Sequence, residues 1–141
     1  MTAKYPFFSA LLFVILMTVT SAQSLPDFDC TAIYTGRFFQ YKKENQLYST
    51  IVRQDSLQTE INTQTGDTSY WKIRWTDNCT FSCQYLSGLK SKSEQELDFY
   101  KQSILFFKIK TLEKDYYTYD AELKFNSQSN TFSDTLWRRT K

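Results

Sequence analysis

The stretch Trp71–Tyr85, WKIRWTDNCTFSCQY, leaves few folds open to this chain. Trp71, Ile73 and Trp75 alternate with Lys72 and Arg74, and Phe81, Cys83 and Tyr85 alternate with Ser82 and Gln84. Successive side chains of a strand point to opposite faces, so this pattern predicts two half-buried strands folded back on each other. The register follows from the same residues. An even number of loop residues would set Trp75 against Thr80 and mix apolar with polar side chains. A three-residue loop, Asp77-Asn78-Cys79, pairs Trp75 with Phe81, Ile73 with Cys83 and Trp71 with Tyr85, and one apolar face results.

The same rhythm runs through the rest of the chain. Strands are expected at Gly36–Tyr41, Leu47–Arg53, Leu57–Thr63, Thr68–Thr76, Thr80–Leu86, Ser103–Leu112, Tyr116–Phe125 and Thr131–Arg139, separated by turn-forming clusters. In Leu57–Thr63 the apolar pair Leu57 and Ile61 alternates with Gln58, Glu60 and Asn62. The run Ile104-Leu105-Phe106-Phe107 has no polar break, which predicts burial on both faces or cover from the preceding segment. Ser93-Glu94-Gln95-Glu96 matches a capping box, so residues 88–102 read as a short helix or a long ordered loop. The fold class is all-β: one antiparallel meander of about eight strands, which must curl into a barrel or split into a sandwich to hide its apolar face. With 3 Trp, 10 Tyr and 12 Phe against 3 Gly and 2 Pro, the composition suits strands.

Residues 1–22 have the layout of a secretory signal peptide: Lys4, an apolar run from Phe7 to Val19, then Thr20-Ser21-Ala22, with cleavage expected after Ala22. The run is short for an uncleaved membrane anchor. Residues 23–141 then form one domain, destined for the periplasm or for secretion, with no membrane span left after cleavage. The net charge of +2 over 141 residues gives no basic footprint, so nucleic acid is not an expected partner. Three cysteines in an exported chain predict one disulfide and one leftover thiol. Cys30 precedes the first strand and Cys79 sits at a hairpin tip, which favours Cys30–Cys79; Cys30–Cys83 is the alternative.

Cys30, the strand Thr35-Gly36-Arg37-Phe38-Phe39-Gln40-Tyr41 and the hairpin Trp75-Thr76-Asp77-Asn78-Cys79 together resemble a group of small exported proteins of Gram-negative bacteria. These have no established function, and their sheets are similar to the lipocalin-like (calycin) meander. The resemblance implies a lipocalin-like barrel or half-barrel over residues 23–141. In lipocalins a Gly-x-Trp on the first strand is covered by an arginine from the last. The matching positions here are Gly36, Phe38 and Arg138 or Arg139, with phenylalanine in place of tryptophan.

The chain has no histidine. That removes the commonest general base and metal ligand, and leaves Cys83 without a partner that could make it a nucleophile. Asp120 and Glu122, two apart on a strand, are a solvated face rather than an acid–base pair. Asn78-Cys79-Thr80 matches the N-glycosylation pattern, which matters only in a eukaryotic secretory route. No catalytic residue, metal ligand or cofactor is therefore assigned, and an enzyme is not expected. The expectation is a monomeric binding domain whose Phe38, Trp71, Trp75, Tyr85, Tyr117 and Tyr119 line a pocket for a small hydrophobic ligand, or else simply form the core. The alternative is an interaction module that binds protein or glycan through aromatics such as Tyr48, Tyr70 or Tyr116 on its outside.

Overall fold

The computed structural model describes residues 28–141; the leader and the first residues of the lead-in lie outside the described residues. Eight strands follow one another around a closed antiparallel barrel: β1 (Gly36–Tyr41), β2 (Leu47–Gln54), β3 (Leu57–Asn62), β4 (Thr68–Asp77), β5 (Thr80–Gly88), β6 (Ile104–Leu112), β7 (Tyr116–Phe125) and β8 (Gln128–Trp137). One helix, α1 (Glu94–Gln102), interrupts the meander between β5 and β6. The seam closes by a single pairing, Phe39 with Trp137.

The β4–β5 hairpin has the register that its alternation requires: Trp71 faces Tyr85, Ile73 faces Cys83 and Trp75 faces Phe81. The odd residue is accommodated differently from the expected loop. Asp77 pairs with Thr80, and the irregularity falls between Trp75 and Asp77. A bulge at that place keeps all three apolar pairs on one face while shortening the tip. Cys79 at the tip is bonded to Cys30, and Cys83 is the free, buried cysteine among the described residues. The bond closes a separation of 49 residues, worth about 4 kcal/mol in a chain-entropy account.

Cys30–Ile33 is a short 3-10 turn, started by Asp29, whose side chain accepts from the Thr31 N–H. The disulfide holds it against one end of the barrel, where Ile33 is fully buried and Tyr34 stacks on Trp75 with centroids 3.8 Å apart. At the other end α1 begins with the predicted capping box: the Ser93 hydroxyl accepts from the Glu96 N–H, and the Glu96 carboxylate accepts from the Ser93 N–H. Tyr100 of α1 then lies edge-on to Trp71 and tilted against Tyr85.

Three expectations need correction. β6 is not buried on both faces: Ile104 is exposed and Phe106 is half-covered on its outer side by Lys124, 4.8 Å from the ring. A barrel strand has one inner face, and α1 covers the mouth rather than this wall. β8 begins at Gln128, not Thr131, because a tight turn at Asn126 with φ 53° lets pairing start at once. Neither terminal arginine covers Phe38. Arg138 reaches the Lys114 and Ala32 carbonyls and Arg139 pairs with Asp115, because both lie beyond the end of β8.

Gly88 ends β5 with φ 106°, opposite Ser69, while its carbonyl accepts from the Tyr85 hydroxyl at 2.7 Å. A Cβ there would overlap the Thr68 carbonyl oxygen. Gly88→Ala is therefore expected to destabilise the fold by about 1–3 kcal/mol in denaturant titration; an unchanged midpoint would contradict this packing.

Candidate functional site

The inner face of the barrel is not uniformly apolar. β2 turns Ser49, Ile51 and Arg53 inward, and β3 turns Gln58 and Glu60 inward while Leu57 and Ile61 lie outside. The β2–β3 register sets Arg53 beside Gln58 and Ile51 beside Glu60. Hydrogen bonds then link the charges in series. Arg53 Nε donates to Gln58 Oε1 at 2.7 Å, and Gln58 Nε2 donates to Glu60 Oε1 at 2.6 Å.

Arg53 is 2 % exposed. A charge so deeply placed must have its donors occupied and its field balanced. Its Nη1 donates to the Ile33 carbonyl at 3.2 Å, and its guanidinium lies 4.9 Å from the Phe38 ring, 4.8 Å from Phe81 and 5.6 Å from Tyr117. Cation–π attraction of this kind gains strength where water is excluded. So an arginine does cover the first-strand phenylalanine, but it comes from β2.

A second polar group sits on the inner face across the seam. Gln40 Nε2 donates to Asp134 Oδ2 at 2.6 Å, and the Ser49 hydroxyl donates to Gln40 Oε1 at 3.0 Å. Tyr119, paired with Asp134, faces the same lumen. Burial raises the Tyr119 phenol far above its usual range, and the Asp134 and Glu60 charges add to the shift. Burial likewise raises the Glu60 carboxyl above its ordinary 4.5, against the opposing effects of the Gln58 hydrogen bond and the Arg53 charge.

Exposure along the inner face is uneven towards α1, where Ser49, Ser69, Trp71 and Tyr85 are buried but other inward positions are not. Beside the disulfide, Phe38, Arg53, Ile73, Phe81, Ile109, Tyr117 and Leu136 are sealed from water. Towards α1, the inward positions Gln40, Glu60, Leu105, Leu123 and Asp134 are only half-buried, and Phe132 is 44 % exposed. Glu60 is thus enclosed by protein yet touched by solvent from the mouth.

The six aromatics assigned by sequence all face inward, but they form separate groups. Phe38 and Tyr117 meet edge-on around Arg53; Trp71 and Tyr85 meet under Tyr100; Trp75 lies between Tyr34 and Phe81; Tyr119 meets Phe107. Asp120 and Glu122 face outward, tied to Lys110 and Ser133 and to Lys124 and Ser129. A groove of about 610 Å³ crosses the outer wall there, rimmed by Phe106, Lys108, Asp120, Glu122, Thr131 and Ser133. Sequence reasoning did not find Arg53, Gln58, Glu60, Gln40, Ser49 or Asp134. The available signal was that Ser49-x-Ile51-x-Arg53 and Gln58-x-Glu60 carry polar residues at alternate positions of neighbouring strands.

No protein-family model matches this chain, and neither the curated proteins nor the solved structures contain a match.

Burial pushes the Cys83 thiol up to about 12. The native protein should therefore show no fast reaction with a thiol reagent at mildly alkaline pH, and one reactive thiol once denatured; rapid native labelling would contradict this burial. For Glu60 the linkage has the opposite sign to that of an ordinary surface carboxylate. The stability it contributes is fully present below 4.5 and is lost as pH rises through the raised value, because the folded chain must then ionise an enclosed carboxyl. Glu60→Gln should accordingly gain thermal stability over the parent as pH goes from acid to neutral; a gap independent of pH would refute the assignment.

Proposed function

We propose that this protein is an exported, non-enzymatic binding barrel that takes a small, largely apolar ligand into the end of its lumen beside α1. The observation that supports it most is the set of half-buried inward positions at the helix end, Gln40, Glu60, Leu105, Leu123 and Asp134, against a sealed disulfide end. A barrel filled solely as a core would be sealed at both ends. Eight strands enclose enough width for one small ligand once large side chains retreat from part of the lumen. Leu105, Leu123 and Phe132 offer apolar surface near the mouth, and Glu60, Gln40 and Asp134 offer orienting polar groups.

Export to the periplasm or beyond is part of the same proposal. It fits the Cys30–Cys79 disulfide, which persists in oxidising compartments, and the resemblance to small exported proteins of Gram-negative bacteria. The unreactive Cys83 thiol supports a binding rather than a catalytic role.

A second reading, binding of protein or glycan through the outer surface, draws on the exposed apolar residues Leu57, Ile61, Tyr70, Leu86 and Ile104. Tyr48, Tyr70 and Tyr116 do not make a single patch for it, since they lie on β2, β4 and β7.

Titration with an environment-sensitive hydrophobic fluorophore separates the two readings. One saturable site, emptied by small amphipathic competitors and accompanied by quenching of Trp71, is the expected result. Absence of saturable binding, together with a ligand-free mass on native mass spectrometry of protein from its own host, would overturn the lumen reading.

A further inference from the structure

We propose that the overhanging part of β8, residues 128–133, pairs edge to edge with the same stretch of a second copy of this chain, in an antiparallel two-fold dimer centred on Thr131. This pairing does not depend on a ligand in the lumen.

β8 runs well past the strand beside it at the seam. Its pairing with β7 is unbroken from Gln128, opposite Phe125, to Trp137, opposite Tyr116. On its other side it meets β1 at one position, Trp137 with Phe39, and Gln40 reaches Asp134 by its side chain. β1 ends at Tyr41. Among the described residues no strand pairs with residues 128–133 on that side, and no other backbone hydrogen bond reaches them. Exposure is an independent sign of the same overhang. Every residue of the stretch is exposed, the lumen-side Gln128, Asn130 and Phe132 included. In an antiparallel ladder every second residue turns both its N–H and its C=O away from the neighbouring strand. The stretch therefore presents a row of unpaired backbone groups, and the group that answers such a row is another extended strand.

The chain treats its other overhang differently. β5 also outruns its neighbour, since β6 pairs only with Thr80 to Gln84, but Tyr100 of α1 lies against Tyr85 beyond that point. Edges that stay free commonly carry lysine, proline or a bulge. Gln128-Ser129-Asn130-Thr131-Phe132-Ser133 has no charge and no proline, and its register with β7 has no shift. Neither end of the described chain supplies a cover. Phe28 lies beside Asn78 at the opposite end of the barrel, and Lys141 ends against Tyr41 and Asn45.

The stretch also matches itself. A two-fold axis through the sheet at Thr131 sets Thr131 against Thr131 of the second copy and Ser129 against its Ser133, all on the outer face. On the lumen side the exposed Phe132 ring faces Asn130 of the second copy and lies diagonal to its Phe132, within reach for aromatic side chains. The charges agree with this arrangement. β7 sets Lys124 beside Ser129, Glu122 beside Thr131 and Asp120 beside Ser133. Across the dimer the Lys124 row therefore ends at Asp120 of the second copy. The two Glu122 carboxylates stand three strand spacings apart, about 14 Å, which is beyond the screening length at physiological salt. A charged foreign strand would find no free countercharge here, because Asp120 is held by Lys110 and Glu122 by Lys124. So short a pairing belongs among small, weak interfaces, with association expected in the micromolar range or above.

Analytical ultracentrifugation of the purified protein from about 1 μM to about 1 mM should show a monomer–dimer equilibrium that stops at two. Thr131→Asp puts four acids in one row of the dimer and should raise its Kd at least about tenfold. Tyr70→Asp, on the exposed apolar wall of β4, should leave the Kd within about twofold. Thermal melting establishes that both variants are folded. Thr131→Cys should give a disulfide-linked dimer under a mild oxidant, and Ser82→Cys, outward on β5, should not. A monomer over the whole range would overturn the pairing, and so would association that continues past two. Loss of the dimer in Tyr70→Asp but not in Thr131→Asp would move the contact to another wall and overturn it as well. Failure of the Thr131→Cys cross-link, or a one-to-one complex with a different protein in place of the dimer, would have the same force.

Discussion

A guanidinium almost completely removed from water is the constraint on which the rest of this structure depends. Arg53 can be buried only if its donors are met and its charge is spread over polarisable neighbours. The chain meets both conditions with groups from distant segments. Ile33 lends a carbonyl from the turn before β1, Gln58 comes from β3, and Phe38, Phe81 and Tyr117 come from β1, β5 and β7. Moving β1, β5 or β7 by one residue would turn a ring outward, and moving β3 would take Gln58 from the guanidinium. The arginine therefore acts as a register lock, a role in which buried polar groups exclude alternatives more than they add stability.

That lock divides the lumen. Around Arg53 the barrel is filled and dry, closed from below by the turn that the disulfide fastens to the β4–β5 tip. Above it the polar series continues through Gln58 to Glu60, beside the buried Trp71 and Tyr85 and the half-buried Gln40, Leu105, Leu123 and Asp134. α1 packs on Trp71 and Tyr85 through Tyr100 and on Phe125 through Phe99, while Gln40, Glu60 and Asp134 at this end stay half-buried. On the proposed binding reading, the filled floor would let a ligand enter without reorganising the strands.

Much of the fold was legible because it is written in local rules. The capping box at Ser93 and Glu96 satisfies helix-end groups within four residues, so α1 needs no tertiary context to start. The Trp71–Tyr85 pairing follows from matching apolar positions across one hairpin, and the Cys30–Cys79 bond from where those cysteines fall in it. The bulge at Thr76 was not legible, since both a longer loop and a bulge preserve the same pairing. Nor was the covering of Phe38 by β2 rather than by the chain terminus, because that choice depends on which strand carries a cation to the depth of the ring.

By itself the sequence determined which residues share a face: alternation at period two fixes this for every strand, and hydrophobic contrast settled the inner side where it was strong, as in β4, β5 and β7. Only the closed barrel decided it for β3, where Gln58 and Glu60 turn inward and Leu57 and Ile61 face water. The physical reason is that a side chain's place is judged by its neighbours as well as by its own transfer free energy. Gln58 belongs inside because Arg53 stands beside it, Arg53 can stand there because three rings and a carbonyl surround it, and those partners meet only once the sheet has closed.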